Sequence, residues 1–177
     1  MRQTLLVLTA LALAGTTTAQ AAEAPCLSQA EFSALAAYAM PSAIEGLAER
    51  CGPSLPKNAF LKTDGQRLAA RYAVRREAVW PSARAAFLKL GADNAEAAGL
   101  FSSLPDEALR PLVDGLISGM VSQKLPTDRC GSIDRLVNLL SPLPPENTAE
   151  LIGLGVIMAS KEDGRGKVGK LTICPAR

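Results

Sequence analysis

The sequence predicts an all-α fold, a compact bundle of about six to eight helices with a short extended segment at its C-terminal end. Apolar residues recur three and four positions apart over most of the chain, which is the spacing of one face of a helix. Several of these segments begin with a helix-capping residue that is followed three positions later by Glu or Gln. Four cysteines, an even number, predict that two disulfide bonds fasten the bundle.

Residues 1–21 are interpreted as a signal peptide that is cleaved from the mature protein. Arg2 precedes an apolar run at 5–14, and the sequence AQA at 19–21 fits the small-x-small cleavage pattern. The run is well short of the about 20 apolar residues that span a bilayer, which argues against the alternative of an uncleaved anchor. Residues 22–177 are therefore expected to form one helical domain in the periplasm or outside the cell, without membrane contact after cleavage.

The charge of this predicted mature domain is nearly balanced. Removal of residues 1–21 takes away one basic residue, Arg2, and leaves 18 basic residues against 17 acidic ones, a formal net charge of +1. Proteins that bind nucleic acids or anionic membranes normally carry a basic excess on one face. Neither kind of partner is expected.

The first helix is predicted to begin at Ser28. Ser28 and Glu31 have the spacing of a capping box, in which each side chain binds the backbone N–H of the other residue. The flanking Leu27 and Phe32 have the spacing of a hydrophobic staple. The chain is therefore expected to turn into a helix immediately after the first cysteine of the mature domain.

Pro41 is expected to turn this first helical segment sharply back on itself. Proline disfavours a helical residue before it and suits the first turn of a new helix. A straight helix over 28–51 would hold Cys26 and Cys51 more than about 35 Å apart, at 1.5 Å per residue. Four cysteines allow three pairings, and the hairpin favours the pairs Cys26–Cys51 and Cys130–Cys174.

A second capping box, Thr63 with Gln66, predicts a helix start at the end of the Pro- and Gly-rich loop 52–65. Pro81 is expected to kink this helix or to begin another one. The side chains expected to point inward are Leu68, Tyr72 and Val79.

The next two helices are predicted to begin near Asp93, with Glu96 completing the cap, and at residues 103–106. The second of them has the clearest apolar stripe in the chain and is expected to lie in the core. Gly115 and Gly119 on the same helix are expected to permit close packing against a neighbouring helix. The stripe consists of Leu109, Leu112, Val113, Leu116, Ile117, Met120 and Val121.

Two more helices and an extended segment complete the prediction. Ser132 caps the first helix, and Asn147 with Glu150 caps the second, which is apolar around most of its circumference and is expected to be buried on all sides. A β-strand is the alternative for residues 155–158. Residues 170–174 alternate in polarity and predict a short strand or clasp. The inward residues of the Ser132 helix are Ile133, Leu136, Val137 and Leu140.

The sequence does not predict an enzyme. It contains no histidine, which excludes Ser-His-Asp and Cys-His nucleophiles, and it has no phosphate-binding, dinucleotide-binding or zinc-protease motif. No CxxC pair is present, and no metal or cofactor is expected. Two pairs of carboxylates, Glu45 with Glu49 and Glu146 with Glu150, are considered as acid–base candidates, but exposure on helix faces and capping explain them better.

Three arginines at i, i+4 and i+8 form the main candidate binding feature, which we call the arginine strip: Arg67, Arg71 and Arg75. Like charges at this spacing repel each other slightly unless they are neutralised. The strip is therefore interpreted either as a docking site for an acidic partner or an anionic envelope polymer, or as a solvated face, or as a row in which Arg71 is paired internally with Glu77 or another acid. Trp80 is considered as a surface aromatic, although a core side chain at a helix junction is the better interpretation.

The hypothesis drawn from the sequence is an exported helical protein that acts by binding a protein or another component of the cell envelope. The alternative is an envelope enzyme, or an inhibitor or immunity-type protein, that uses surface carboxylates or arginines. A pocket with convergent charged side chains favours the alternative, and an exposed apolar patch favours the binding protein.

Overall fold

The computed structural model describes residues 26–92, 94–159, 167–168 and 171–174. The all-α class is confirmed, and the predicted signal peptide at 1–21 lies outside the described residues. Within the described ranges no helix is both long and apolar enough to cross a membrane. The helices are α1 (Gln29–Cys51), α2 (Phe60–Thr63), α3 (Gly65–Ala73), α4 (Arg76–Leu90), α5 (Ala95–Ser103), α6 (Asp106–Lys124), α7 (Cys130–Leu140) and α8 (Pro145–Ala159), and the strands are β1 (Lys167–Val168) and β2 (Leu171–Thr172).

α1 begins as predicted. The Ser28 N–H donates to the Glu31 carboxylate over 2.7 Å, and the Glu31 N–H donates to Ser28 Oγ over 3.2 Å. The bond from the Ser28 N–H is the main reason why the pKa of Glu31 lies below its usual value, and the ammonium group of Lys89 lowers it further. Leu27 and Phe32, the predicted staple, belong to one buried cluster.

α1 then continues through Pro41 to Cys51, so the predicted hairpin at Pro41 is wrong. A proline inside a helix removes one hydrogen bond and costs about 3 kcal/mol. α1 is the central helix of the bundle, however, and α3, α4, α6 and α8 all pack against it. Burial of apolar side chains along both halves of the helix outweighs the local cost, and Pro41 is itself buried.

The predicted disulfide pairing is wrong for the same reason. A continuous α1 separates Cys26 from Cys51 by the length of the helix, and each cysteine bonds to a distant part of the chain. Cys26 pairs with Cys174, with a Cα–Cα distance of 5.1 Å, and Cys51 pairs with Cys130, with a distance of 5.3 Å. One bond therefore fastens the N-terminal end of α1 to the C-terminal segment, and the other fastens the C-terminal end of α1 to α7.

The predicted C-terminal clasp is confirmed. Ile173 forms a parallel bridge with Leu27, and the Cys174 N–H donates to the Leu27 carbonyl oxygen over 2.8 Å. β1 and β2 form a small antiparallel pair before it. Leu27 and Ile173 are both fully buried, so apolar burial and the Cys26–Cys174 bond hold the clasp together.

The core lies on two sides of α1. On one side, residues of α1 pack against α3, the loop before α2 and the ends of α7 and α8. On the other side, Tyr38 of α1 packs against Trp80 and Ala83 of α4 and against Leu109 and Val113 of α6. Trp80 is only 2% exposed, which confirms the interpretation of this residue as a core side chain.

The second predicted capping box does not form. Thr63 lies at the end of α2 and donates its hydroxyl to the Ala59 carbonyl oxygen instead of capping α3. α2 begins earlier, at Phe60, because Asp134 of α7 accepts hydrogen bonds from the N–H groups of Phe60 and Leu61 over 3.2 and 2.7 Å. This cap comes from a residue more than 70 positions away, and no local pattern predicts it.

Four other helix starts differ from the prediction. α7 begins at Cys130 and α8 at Pro145, so the predicted caps Ser132 and Asn147 lie inside these helices. α5 is capped by Asn94, which accepts from the Ala97 N–H over 3.1 Å, and the predicted cap Asp93 lies outside the described residues. α4 begins at Arg76 and runs through Pro81 without a new start. α6 begins at Asp106, as predicted.

The close helix contact predicted at Gly115 and Gly119 is formed by a different glycine. A Cβ added at Gly46 of α1 would lie 2.8 Å from the Ser118 carbonyl oxygen of α6. A Cβ at Gly115 would meet nothing within 4 Å, and one at Gly119 would meet only the Gln123 side chain of its own helix, at 3.9 Å. Gly46 therefore permits the close approach of α1 and α6.

We expect Gly46→Ala and Gly115→Ala to change stability in opposite directions. At Gly46 the added methyl group is forced against backbone, which costs about 1–3 kcal/mol and exceeds the helix-propensity gain of at most about 1 kcal/mol. At Gly115 the methyl group meets no neighbour within 4 Å, so only the gain in helix propensity remains. Urea denaturation of both variants measures the difference, and a stabilised Gly46→Ala variant would contradict the close contact between Gly46 and α6.

Candidate functional site

The apolar faces of the last helices are much more exposed than the sequence predicts. α8, expected to be buried on all sides, leaves Leu151 and Leu154 each 50% exposed and Met158 81% exposed. The predicted stripe of α6 buries Leu109 and Val113. Large apolar side chains are also exposed on α6 and α7: Leu112, Leu116, Met120, Leu136 and Leu139.

This exposure has a simple topological cause. α8 packs mainly against α1, on the side where Ala149 and Gly153 are buried, and it also contacts β1. Gly153 lies directly against α1, because a Cβ there would be 2.7 Å from the Gln29 side chain and 3.1 Å from the Phe32 ring. The opposite face of α8 remains largely exposed to solvent. Leu151, Leu154 and Met158 lie on that face, which we call the α8 seam.

A separate apolar groove, which we call the α7 groove, lies between α7 and the rest of the bundle. Its volume is about 230 Å³. The two hydroxyl groups at the groove are already bonded, since Tyr72 donates to the Leu143 carbonyl oxygen over 2.9 Å and Thr148 donates to the Pro144 carbonyl oxygen over 3.1 Å. The groove therefore offers a hydrocarbon surface. Its lining comes from α1, α3, α7 and α8: Met40, Ala43, Ile44, Leu47, Leu68, Tyr72, Ile133, Leu136, Val137, Leu140, Thr148 and Ile152.

The arginine strip is exposed, but its members make different contacts. Arg67 forms an ion pair with Asp64, and Arg75 forms one with Glu146, with an Nε–Oε1 distance of 2.7 Å. Arg71 donates to the main-chain carbonyl oxygen of Ser141, the residue that follows α7. The suggested pairing of Arg71 with Glu77 is wrong, because the Glu77 carboxylate is bound by Arg110.

The arginine strip and the α7 groove lie on adjacent sides of α3. Leu68 lines the groove and also a shallow pocket of about 210 Å³ that includes Arg67, Arg71 and Ser141. Tyr72 lines the groove and also a wider depression of about 500 Å³ that includes Arg71. The structure therefore places cationic and apolar surface side by side, a combination that the sequence analysis did not anticipate.

The carboxylate candidates do not form a catalytic arrangement in the described part of the chain. Glu45 and Glu49 are exposed on α1, and the shallow pocket beside Glu45 contains Lys62 but no second carboxylate. Glu146 is engaged by Arg75, and Glu150 is exposed on α8. Among the described residues no group of three potential metal ligands is found.

A stack of arginines and aromatic rings, which the sequence analysis missed, joins α1, α4 and α6. The Arg76 guanidinium lies 4.0 Å from the centre of the Tyr38 ring, and that of Arg110 lies 4.9 Å from the Trp80 ring. The two rings are 4.7 Å apart. Burial is the main reason why the pKa of Tyr38 lies above its usual value. The stack therefore connects side chains of three helices and contributes to their packing.

The ion pair between Arg75 and Glu146 predicts a pH-dependent contribution to stability. The hydrogen bond from Arg75 holds the pKa of Glu146 below its usual value of about 4.5. A carboxylate whose pKa is lower in the folded state stabilises the fold at pH values above its unfolded-state pKa. This stabilisation is lost as the pH falls through the folded-state pKa. The Arg75→Gln variant is therefore expected to be less stable than the wild type at pH 7, by at most about 1 kcal/mol for an exposed pair.

Denaturation at several pH values tests this prediction. The difference between wild type and Arg75→Gln should shrink as the pH falls from about 5 to 3, because protonated Glu146 no longer attracts the guanidinium. Arg135→Gln, on the exposed side of α7, is the control with the same change in charge. A difference that stays constant with pH would contradict the role of Glu146.

Comparisons with protein-family models, curated proteins and solved structures found no match for this chain. The class of protein is therefore defined by its own features. It is an all-α bundle around one central helix, with two disulfide bonds, an exposed apolar seam on its last helix and a groove of hydrocarbon character next to a row of arginines.

Proposed function

We propose that this protein is exported and acts without catalysis, by binding another protein through the α8 seam. The observation that carries the proposal is the exposure of Leu151, Leu154 and Met158, which are between 50% and 81% exposed on one face of the helix. Adjacent exposed apolar side chains of this size usually mark an interaction site in a water-soluble protein.

The spacing within the seam indicates the kind of partner. Leu151, Leu154 and Met158 are separated by three and four positions, which is the alternation of apolar residues along a helix that packs against another helix. An amphipathic helix with the same spacing fits such a face, since its apolar side chains fit between those of the seam. The expected partner is therefore a protein that presents an amphipathic helix.

Two further features support an extracytoplasmic location. The sequence at 1–21 has the three parts of a secretory signal, and two disulfide bonds are compatible with an oxidising compartment. We therefore propose the periplasm or the exterior of the cell as the place where the partner is met.

The alternative, an envelope enzyme or inhibitor with convergent charged side chains, has less support. In the described part of the structure Arg67 and Arg75 are engaged by acids within the domain, and Glu45 and Glu49 lie exposed on a helix face. The apolar seam is the feature that these internal contacts do not explain, and it favours the binding protein.

Site-specific photo-crosslinking in the organism that produces the protein tests the proposal. A crosslinking residue at Leu151 or Leu154 is expected to yield the same protein adduct, and one at the neighbouring exposed position Glu150 is expected to yield little of it. Val74, 80% exposed on another part of the surface, is a second control. Equal yields at all four positions would contradict the proposal, and an adduct of two copies of this chain would show that the seam serves self-association instead.

A further inference from the structure

We propose that the α7 groove binds the hydrocarbon chain of a single-chain anionic amphiphile, whose head group is held by Arg71. This inference concerns a different surface from the α8 seam and does not depend on the function proposed above. It rests on three observations: the chemistry of the lining, the size of the groove and the position of an arginine whose charge is not neutralised by its contact.

The lining selects for hydrocarbon. The groove is lined by aliphatic side chains of four helices, and the hydroxyl groups of Tyr72 and Thr148 donate their hydrogen bonds to backbone carbonyl oxygens. A peptide backbone in this position would leave its own N–H and C=O groups without partners, which is unfavourable in an apolar site. A saturated chain has no polar groups to satisfy and gains by leaving water.

The volume sets the length of chain that fits. A methylene group takes up about the same space as one liquid water molecule, about 30 Å³. The groove of about 230 Å³ therefore accepts roughly seven or eight methylene groups. It is smaller than the 300–1,000 Å³ of a typical pocket for drug-sized ligands, which is consistent with a single hydrocarbon chain.

Arg71 provides the charge complementarity. Arg67 and Arg75 are paired with carboxylates, whereas Arg71 donates to the neutral carbonyl oxygen of Ser141 and so keeps its full positive charge. Its guanidinium lies 5.8 Å from the centre of the Tyr72 ring, which lines the groove. A carboxylate, sulfate or phosphate head group at the Ser141 end of α7 would give Arg71 an anionic acceptor in place of the neutral carbonyl oxygen. Hydrogen bonds between two ions are stronger than those with a neutral acceptor.

Isothermal titration with saturated fatty acids of increasing length, below their micelle concentrations, tests the groove. Affinity is expected to rise about fourfold for each added methylene group and to level off once about eight are buried. A rise without a plateau would indicate adsorption to the exposed apolar faces and would overturn the proposal. Binding only to vesicles of diacyl lipid, and not to monomeric fatty acid, would overturn it as well.

Two leucines on α7 provide a matched pair of variants. Leu136 lines the groove and is 54% exposed, and Leu139, one helical turn further on, is 68% exposed and does not line it. Both substitutions to Gln should preserve the fold, because both side chains are already largely in water. Leu136→Gln is expected to weaken dodecanoate binding about tenfold or more and Leu139→Gln hardly at all. Equal losses in the two variants would contradict a site in the groove.

The role of Arg71 is tested with head groups of different charge on the same chain. Wild type should prefer dodecanoate to dodecyltrimethylammonium by about fivefold, the upper range for an exposed ion pair. Arg71→Gln is expected to lose this preference, and Arg135→Gln to retain it. A preference that survives Arg71→Gln would remove Arg71 from the site. Crosslinking through the α8 seam is a separate measurement. Protein binding at the seam and amphiphile binding in the α7 groove can therefore be disproved independently.

Discussion

Replacement of both Cys51 and Cys130 by alanine is expected to lower the free energy of unfolding by about 4.5 kcal/mol. The bond joins residues 79 positions apart, and in the chain-entropy model its loss frees a long loop of the unfolded chain. Both cysteines are buried. Urea denaturation of the double variant, followed by circular dichroism, measures the loss.

The Cys26→Ala/Cys174→Ala variant is the matched control, which shows whether loosening of α7 is specific to loss of the Cys51–Cys130 bond. Its bond closes a longer loop of 148 positions and is worth about 5 kcal/mol at most in the same model. Only the Cys51/Cys130 variant should loosen the start of α7, which is also held by the hydrogen bonds of Asp134 to α2. Hydrogen exchange should show faster exchange of α7 amides in that variant alone.

Peptide mapping under non-reducing conditions checks the pairing itself. Peptides that contain Cys26 should be recovered joined to Cys174, and those with Cys51 joined to Cys130. Recovery of Cys26 joined to Cys51 would require a reversal of the chain at Pro41 and would contradict the continuous α1.

Trp80→Ala is expected to cost about 3–5 kcal/mol, the usual range for removal of a large buried aromatic side chain. Trp80 is 2% exposed and packs against Tyr38 from α1 and beneath the Arg110 guanidinium from α6. Its loss leaves a cavity where three helices meet, and it also removes the surface on which Arg110 lies. The chain contains a single tryptophan, so unfolding must be followed by circular dichroism and not by fluorescence.

Trp80→Phe separates the packing from the polar group of this side chain. Within the described structure the Trp80 indole N–H is buried without a hydrogen-bond partner, and such a group is unfavourable in an apolar site. Phenylalanine lacks this N–H group and keeps most of the ring contacts. The expected loss is therefore well below that of Trp80→Ala, and equal losses would show that the ring contacts contribute little.

The exposed apolar faces show why periodicity alone misjudges burial. The stripe of α6 was predicted to be core throughout, yet Leu116 and Met120 are about half exposed and only Leu109 and Val113 are buried. Apolar spacing identifies the face that avoids water, but it does not identify what covers that face. The candidate sites were therefore missed, because they consist of apolar residues that were assigned to the core.

By itself the sequence determined the features that depend on neighbouring residues. The helical class, the capped start of α1 at Ser28 and the extended C-terminal clasp all follow from capping and periodicity within a few positions. Only the tertiary structure decided the course of α1 through Pro41, because burial against four helices outweighs a local cost of about 3 kcal/mol. The tertiary structure also decided the disulfide pairing, the cap of α2 by Asp134 and the apolar groove beside Arg71, since each joins residues that are distant in the chain and adjacent only in the folded bundle.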